Sequence, residues 1–518
     1  MSAFSINILQ FSSSNTEMGI IQRQGIKQSL ITYFGVLIGA VNVILIYTST
    51  LTPDEYGLIQ VMLSTSKIVL PFVLLGSQSM IVRFFPRFDD SARGHNGYLL
   101  FLLLIPTIGV FILYLVDWWV QPNLISLFFE PTPLIEMYGA YLIPLLLFLA
   151  YAQVFTRYEM NFHRIAIPAI FNDLFVKIGL PLCCIAYYFG WLDFEGALIG
   201  IVLLHLVILL AHIIYTKKLG QLFLKPNFSR INKPLIKEMG TYAGFGVLGN
   251  LGSAIVPQID TFMVGSLIGL SSAAIYTIPN FVTNVIDIPR KALANISGPI
   301  ITKAWEENDR EELQGLYSKS SINQFIVGLF MLIGLWISID DLYALIPNNG
   351  NKEIYETGKT VVLILGASKV FDMLTGMNSE LIMYSKYFRI NFYAIFVLAG
   401  VAILLNYILI PIYGIDGAAY ATLISFAIFN LLKFLFLLFK ENLQPFSLKT
   451  IWVALLGLVS YLLICLMPDL GNPILNILIR SSLFTIIYVL AVWQWRLSPE
   501  LSNMADDAWT RIKGFFNS

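Results

Sequence analysis

Residues 197–215 read ALIGIVLLHLVILLAHIIY, nineteen residues without an Asp, Glu, Lys or Arg. At about 1.5 Å of rise per helical residue, this run alone is long enough to cross a hydrocarbon core of about 30 Å. Asp193 and Glu195 precede it, and Lys217 and Lys218 follow it. Basic residues are retained on the cytoplasmic side of membrane proteins, so the run carries an orientation as well as a length. Working outward, comparable apolar runs begin near residues 29, 57, 97, 136, 165, 197, 240, 273, 321, 359, 390, 417, 450 and 474. The expectation is an all-α polytopic membrane protein with about 14 transmembrane helices.

Composition agrees. Of 518 residues, 57% are hydrophobic and only 12% charged, against about 25% charged in soluble chains. Lys plus Arg and Asp plus Glu both number 32. Zero net charge gives no bulk attraction for nucleic acid, and no nucleic-acid partner is expected. Placement of charge is more informative: 25 of the 32 basic residues fall in alternate connections or at the termini. These are Arg23/Lys27, Arg83/Arg87/Arg93, Arg157/Arg164, Lys217 to Lys237, Arg290 to Lys319, Lys386/Arg389, Lys440/Lys449 and Arg496/Arg511/Lys513. The other connections hold acids such as Asp54, Glu55, Asp193, Asp340, Asp341 and Asp469. Fourteen spans with this alternation place both termini in the cytoplasm.

The opening residues lack a compact apolar region and cleavage site, so insertion is expected to use the first span itself. Met18 begins a stretch, MGIIQRQGIKQS, that reads as a cytoplasmic lead-in and is the expected start of translation. The expected organisation is a cytoplasmic segment 1–28, an N-lobe 29–215, a basic linker 216–238, a C-lobe 239–438, two further helices within 450–495 and a cytoplasmic amphipathic tail 496–518. An echo between Phe34-Gly35-Val36-Leu37 and Phe245-Gly246-Val247-Leu248 supports two pseudo-symmetric six-helix lobes. Transporters built this way bind substrate between their repeats. In the tail, Ser498-Pro499-Glu500 is a helix-start signal, and Leu501, Met504, Ala508, Ile512 and Phe515 share one face suited to the membrane interface.

Ionisable residues inside spans cost about 2.5–3.5 kcal/mol each at the bilayer centre on insertion scales. Ten occur: Lys67, Lys177, Lys369, Lys433 and Arg480 against Asp173, Asp260, Asp287, Asp372 and Glu380. At 100° per residue they fall on polar stripes. Gln60, Ser64, Lys67, Pro71 and Gln78 share one stripe. Gly246, Asn250, Ser253, Pro257 and Asp260 form a second, Asn280, Thr283, Asn284, Asp287 and Lys291 a third, and Lys369, Asp372, Gly376 and Glu380 a fourth. Such faces from both halves imply an internal polar cavity. Asp173 and Lys177 are spaced i, i+4 for mutual neutralisation, and Lys369 with Asp372 is a second candidate structural pair. Lys67, Asp260 and Asp287 lack an obvious partner on their own helix. Lys433 is expected to snorkel to the cytoplasmic interface, and Arg480 has no evident role.

Other chemistries find no support. Gly358-Lys359-Thr360 lacks the upstream glycine of a phosphate-binding loop, which is Glu353. His95, His163, His205 and His212 form no metal-ligand spacing, and His205 with His212 reads as packing or polar glue. Cys183, Cys184 and Cys465 lie in apolar runs. No metal, no cofactor and no enzymatic activity are expected. Pro71, Pro144, Pro181, Pro257 and Pro279 lie mid-span, where freed carbonyls and bends are tolerated or used.

Leu51-Thr52-Pro53-Asp54-Glu55-Tyr56-Gly57 after the first span resembles the corresponding connection of Wzx-type polysaccharide repeat-unit flippases. These belong to the multidrug/oligosaccharidyl-lipid/polysaccharide exporter superfamily. Asp260 with Met263-Val264-Gly265, Gly269 and Tyr276 looks like their seventh-to-eighth helix segment. Asn406-Tyr407, Leu409-Ile410-Pro411, Gly414, Gly417-Ala418-Ala419 and Ala421-Thr422 resemble their late-helix signature. The likeness extends over residues 18–495. It implies a flippase of a bacterial cytoplasmic membrane that moves a polyprenyl-pyrophosphate-linked oligosaccharide from the inner to the outer leaflet, serving lipopolysaccharide or other surface polysaccharide synthesis. The same resemblance implies membrane lipids, a polysaccharide polymerase and glycosyltransferases as partners. An anionic, polyhydroxylated head group wants cations and amides, so Lys67, Lys177 and Lys369 are candidates for the phosphates and Gln60, Asn250, Asn280 and Asn284 for the sugar side. Asp260, Asp287 and Glu380 are candidates for carrying a coupling cation. A peptidoglycan lipid II flippase and a multidrug antiporter of the same superfamily are the competing readings.

Overall fold

A computed structural model of the protein describes residues 31–120, 132–227, 230–348 and 351–503, together with 506 and 510. The N-terminal segment 1–28 with Met18, and the tail positions Met504, Ala508, Ile512 and Phe515, lie outside the described residues. No strand occurs among the described residues, and the architecture is all-α.

The helices follow the apolar runs. The first compact unit extends to residue 271 and contains α1 (Ile31–Thr50), α2 (Pro53–Val73), α3 (Ser77–Phe88), α4 (Tyr98–Val120), α5 (Leu142–Met160), α6 (Ala166–Tyr188), α7 (Phe194–Lys218), α8 (Lys233–Ile255) and α9 (Ile259–Ile268). Near its boundary begins α10 (Leu270–Asn284). The second unit, from residue 272, holds α11 (Ile288–Glu306), α12 (Arg310–Ile337), α13 (Lys359–Leu374), α14 (Asn378–Met383), α15 (Phe388–Tyr413), α16 (Ile415–Glu441), α17 (Leu448–Cys465) and α18 (Pro473–Gln494).

Among the described residues eleven helices are long and apolar enough to cross a membrane. The runs expected near 240, 273 and 359 fall short for a physical reason. They carry the polar stripes, and the helices there are broken: α10 and α13 have 15 and 16 residues. A break at 256–258 divides α8 from α9, the 3-10 turn Val285–Asp287 divides α10 from α11, and residues 375–377 divide α13 from α14. A fourth break, at 74–76, separates α2 from α3. None of the four stripes therefore lies on a single helix. Gln78 belongs to α3 rather than α2, Asp260 to α9 rather than α8, and Glu380 to α14 rather than α13. Broken backbone at membrane depth is tolerated where it is enclosed by protein or lines a polar cavity.

Local sequence explains several joints. At the start of α2, Thr52 and Glu55 form a reciprocal capping box, with Pro53 in the first turn, where its missing N–H costs nothing. Tyr56 is buried against the Tyr47 ring at 5.3 Å. A Cβ at Gly57 would overlap the Leu270 carbonyl. At the α2/α3 break Gly76 has φ +77°, and a Cβ there would overlap the backbone of Ala243 on α8. In the second unit, α12 packs against α17 and α18 through Phe330, Phe484 and Tyr488, with Phe330 stacked on Phe484 at 5.3 Å.

Candidate functional site

In the second unit three helix ends meet around carboxylates. The turn before α11 carries Asp287, and Arg290 follows one turn later on the same face. The Arg290 Nε donates to Asp287 Oδ1 at 2.7 Å and pairs with Asp372 Oδ2, at the end of α13, at 3.1 Å. Lys291 Nζ approaches the other Asp287 oxygen at 3.0 Å. Asn430 on α16 donates to Asp372 Oδ1 at 2.8 Å and accepts from Asn378 at 2.9 Å and Thr375 at 3.1 Å. These bonds satisfy the buried side chains gathered at the α13/α14 break. Lys369 and Glu380 lie within electrostatic reach, Lys369 of Asp287 and Asp372, Glu380 of Arg290 and Lys433.

Lys433 does not snorkel. It is 1% exposed, its Nζ donates to Ser379 Oγ at 2.6 Å, and it stands 3.6 Å from the centroid of the Phe429 ring. Aromatic stacking and one hydroxyl replace the water it would otherwise seek. Lys369 likewise lies 5.5 Å from the Phe426 centroid. Neither lysine has a carboxylate within ion-pair distance among the described residues. Four cations (Arg290, Lys291, Lys369, Lys433) thus surround three carboxylates (Asp287, Asp372, Glu380). Asp287, expected to lack a partner on its own helix, has two, because Arg290 and Lys291 are its i+3 and i+4 neighbours. Arg290, counted with a cytoplasmic loop in the sequence, is the central bridge.

In the first unit the polar residues gather at two π-bulges, Asn42–Ile46 in α1 and Ile170–Leu174 in α6. Such bulges often mark functional segments. Asp173 sits in the second bulge. The extra residue per turn removes the helical register that an i, i+4 pair needs, and Asp173 makes no ion pair with Lys177 among the described residues. It lies instead within electrostatic reach of both Lys177 and Lys67. Pro181 deprives the Lys177 carbonyl of its helical donor, and Asn42 Nδ2 supplies one at 2.6 Å. The absence of a side chain at Gly35 makes room for the Lys177 ammonium, since a Cβ there would lie 2.9 Å from Nζ. Gln60, half-buried, shares α2 with the exposed Lys67.

The remaining sequence candidates are placed as follows. Asn284 donates to Asn280 Oδ1 at 3.1 Å, a local i, i+4 bond. Asp260 is half-buried in the first turn of α9. The side chain of Asn250 lies outside the described residues, although its backbone belongs to α8. Arg480 has a partner after all: its Nη1 lies 3.4 Å from Asp341 Oδ2, and Asn476 donates to Asp341 Oδ1 at 2.8 Å.

Sequence reasoning missed Arg290 as a site residue, Asn430, Ser379 and Glu159, and it read His212 as packing or polar glue. For Arg290 the usable signal is its i+3 spacing from Asp287. Asn430, Ser379 and Glu159 carry no one-dimensional signal, because their partners come from other helices.

These broken helices, buried cations and paired acids occur in a chain whose residues 23–305 match the family described as "Polysaccharide biosynthesis protein". The chain belongs to that family. Residues 246–408 also match the MatE family. Among curated proteins, an uncharacterized membrane protein, MJ1068, of Methanocaldococcus jannaschii is 20% identical, the alignment covering 91% of this chain and 94% of that one. The probable low-salt glycan biosynthesis flippase Agl15 of Haloferax volcanii is 22% identical over 39% of this chain and 41% of its own length. Among solved structures, the fold is similar to that of the lipid II flippase MurJ in an inward closed conformation, with a TM-score of 0.72 at 14% identity, covering 91% of this chain and 99% of that one. It is also similar to an inward-facing multidrug resistance MATE family transporter, with a TM-score of 0.62 at 15% identity, covering 78% of this chain and 93% of that one. The protein is a multi-pass membrane member of the polysaccharide biosynthesis family, and the proteins it is similar to include a probable glycan flippase, a lipid II flippase and a multidrug transporter.

Proposed function

We propose that the protein moves a polyprenyl-pyrophosphate-linked oligosaccharide from the inner to the outer leaflet of the cytoplasmic membrane, by alternating access coupled to cation antiport, with both termini in the cytoplasm. The observation that carries this reading is a set of lysines inside the spans with no carboxylate at ion-pair distance among the described residues: Lys67 and Lys177 in the first unit, within electrostatic reach of Asp173 only at longer range, and Lys369 and Lys433 in the second. Lysines with no carboxylate in contact are expensive to keep in a membrane interior unless an anionic ligand uses them. A pyrophosphate supplies that anion, and charge-assisted bonds to Lys67, Lys177 and Lys369 hold it. Gln60, Asn250, Asn280 and Asn284 serve the sugar hydroxyls. Of the carboxylates, Asp260 and Glu380 are suited to a coupling cation. Asp287 is already clamped by two cations, so its role is to hold Arg290 in place.

Partners are the lipid-linked oligosaccharide, membrane lipids, and the glycosyltransferases and polymerase that act before and after flipping. The test is reconstitution of the full chain in vesicles holding a pyrophosphate-linked polyprenyl oligosaccharide, with sugar accessibility followed from one side. Lys67→Ala and Lys369→Ala should each abolish movement. Efflux of organic cations without oligosaccharide movement would instead establish the multidrug alternative.

A further inference from the structure

A second ionisable site lies in the first unit, between α5 and α7. Glu159, in the last turn of α5, has no exposed side-chain surface, nor has His212 on α7. Their contact is direct, with His212 Nδ1 3.0 Å from Glu159 Oε2. The other carboxylate oxygen accepts from Thr216 Oγ1 at 2.9 Å. Across the ring, His212 Nε2 lies 3.4 Å from Thr156 Oγ1. That hydroxyl donates to the Ala152 carbonyl at 2.8 Å and accepts from Asn172 at 2.9 Å. With the Thr156 proton directed to Ala152, the hydroxyl accepts from the ring and Nε2 carries hydrogen.

A proton count follows from this geometry. With Nε2 protonated, one further proton lies between Nδ1 and Oε2, either as imidazolium beside carboxylate or as neutral ring beside carboxylic acid. In both arrangements the pair is neutral overall. Withdrawing that proton leaves a net negative charge in a fully enclosed pocket. The ring faces Phe171 edge-on at 5.1 Å. The titratable and charged groups nearby are the Tyr215 phenol, which feels Glu159, and Arg164, which acts on that phenol. No Lys or Arg forms an ion pair with Glu159 among the described residues. A lone buried carboxylate is costly, so proton release requires water or a cation to enter, which means parting α5 from α7.

We propose that Glu159 and His212 together form a proton-binding site, and that proton exchange there is required for coupling, alongside the cation carried at Asp260 and Glu380. The second clause rests on the antiport reading above, and the first does not. Loading with one proton makes the site neutral and permits the tight α5–α7 contact; release accompanies its opening. The position of Glu159 in the last turn of α5, beside the basic Arg157/Arg164 connection, places the exit on the cytoplasmic side in the proposed topology.

Two measurements on the full chain test this separately. Infrared difference spectra recorded across a pH titration should show carboxyl and imidazole bands exchanging in the wild type, and the carboxyl exchange should vanish in Glu159→Gln, whose amide can donate permanently to Nδ1. In vesicles with an imposed pH gradient, E159Q should keep gradient-independent oligosaccharide exchange and lose all stimulation by the gradient. Thr216→Val, which removes one donor to the carboxylate and leaves the pair intact, should raise the pH at which the band titrates. That variant keeps the test open if E159Q does not fold. Wild-type spectra with no titrating band lost in E159Q, or a T216V midpoint that does not move, overturn the proton site. Full gradient stimulation in E159Q overturns its coupling role. Wild-type vesicles that move no oligosaccharide refute the proposed substrate while the spectra still decide the site.

Discussion

Removing the Arg290 guanidinium tests whether the second unit is organised by charge. Arg290 bridges Asp287 at 2.7 Å and Asp372 at 3.1 Å, and the three side chains are 23%, 9% and 11% exposed. Breaking a buried pair from one side costs about 3–5 kcal/mol, because the partner is left uncompensated. Here two carboxylates lose a partner. Asp287 keeps Lys291, which is 61% exposed and therefore screened, and Asp372 keeps Asn430. Those remaining contacts recover part of the loss, so Arg290→Met should destabilise by about 2–4 kcal/mol. Adding Asp287→Asn and Asp372→Asn removes the stranded charges, and the triple variant should be more stable than R290M alone by at least about 1 kcal/mol. The assay is reversible unfolding in detergent micelles, read by tryptophan fluorescence for the wild type, R290M, the double D287N/D372N and the triple variant. Simple additivity of the changes refutes the argument, since it means that the three groups do not interact.

Four further outcomes follow from the same structure. Lys433→Met should leave stability unchanged or raise it, because a buried ammonium is exchanged for a thioether of similar shape, while oligosaccharide movement in vesicles is lost; loss of both would point to a structural lysine. Thr52→Ala should cost about 1 kcal/mol through the α2 capping box, measured by thermal unfolding in micelles. Gly76→Ala should cost more than that, because φ +77° and the Ala243 backbone both oppose a Cβ; a neutral effect in the same assay would contradict the described break. In the α17–α18 connection, the Asn476 amide holds the exposed Asp469 carboxyl below its usual range. A depressed carboxyl contributes stability at neutral pH that is lost on acidification through and below the ordinary carboxylate range, and Asn476→Ala should return Asp469 to that range when its side-chain carbon is titrated by NMR.

Helix positions were legible because membrane solvent imposes one rule on every span: about twenty apolar residues with basic ends on one side. The motif Leu51 to Gly57 was legible because its residues act locally, Thr52 and Glu55 as a cap and Pro53 in the first turn. The breaks were less so. A stripe drawn at 100° per residue runs straight through Pro257 and Gly376, where the chain leaves the helix, and so assigns Asp260 and Glu380 to the wrong segments. The Asp173–Lys177 spacing failed for a related reason, since a π-bulge changes the period that the spacing assumes. Asn430, Ser379 and Glu159 were invisible because each finds its partner more than fifty residues away. Lys433 was misread because a cation near a helix end normally reaches water, and only the fold brings Phe429 and Ser379 to it.

The most direct measurement of the central claim is sugar accessibility in vesicles holding the pyrophosphate-linked polyprenyl oligosaccharide, with wild-type protein and with Lys67→Ala and Lys369→Ala side by side. The account predicts gradient-stimulated appearance of the sugar on the far face with the wild type and none with either variant. Equal movement by all three proteins would contradict it.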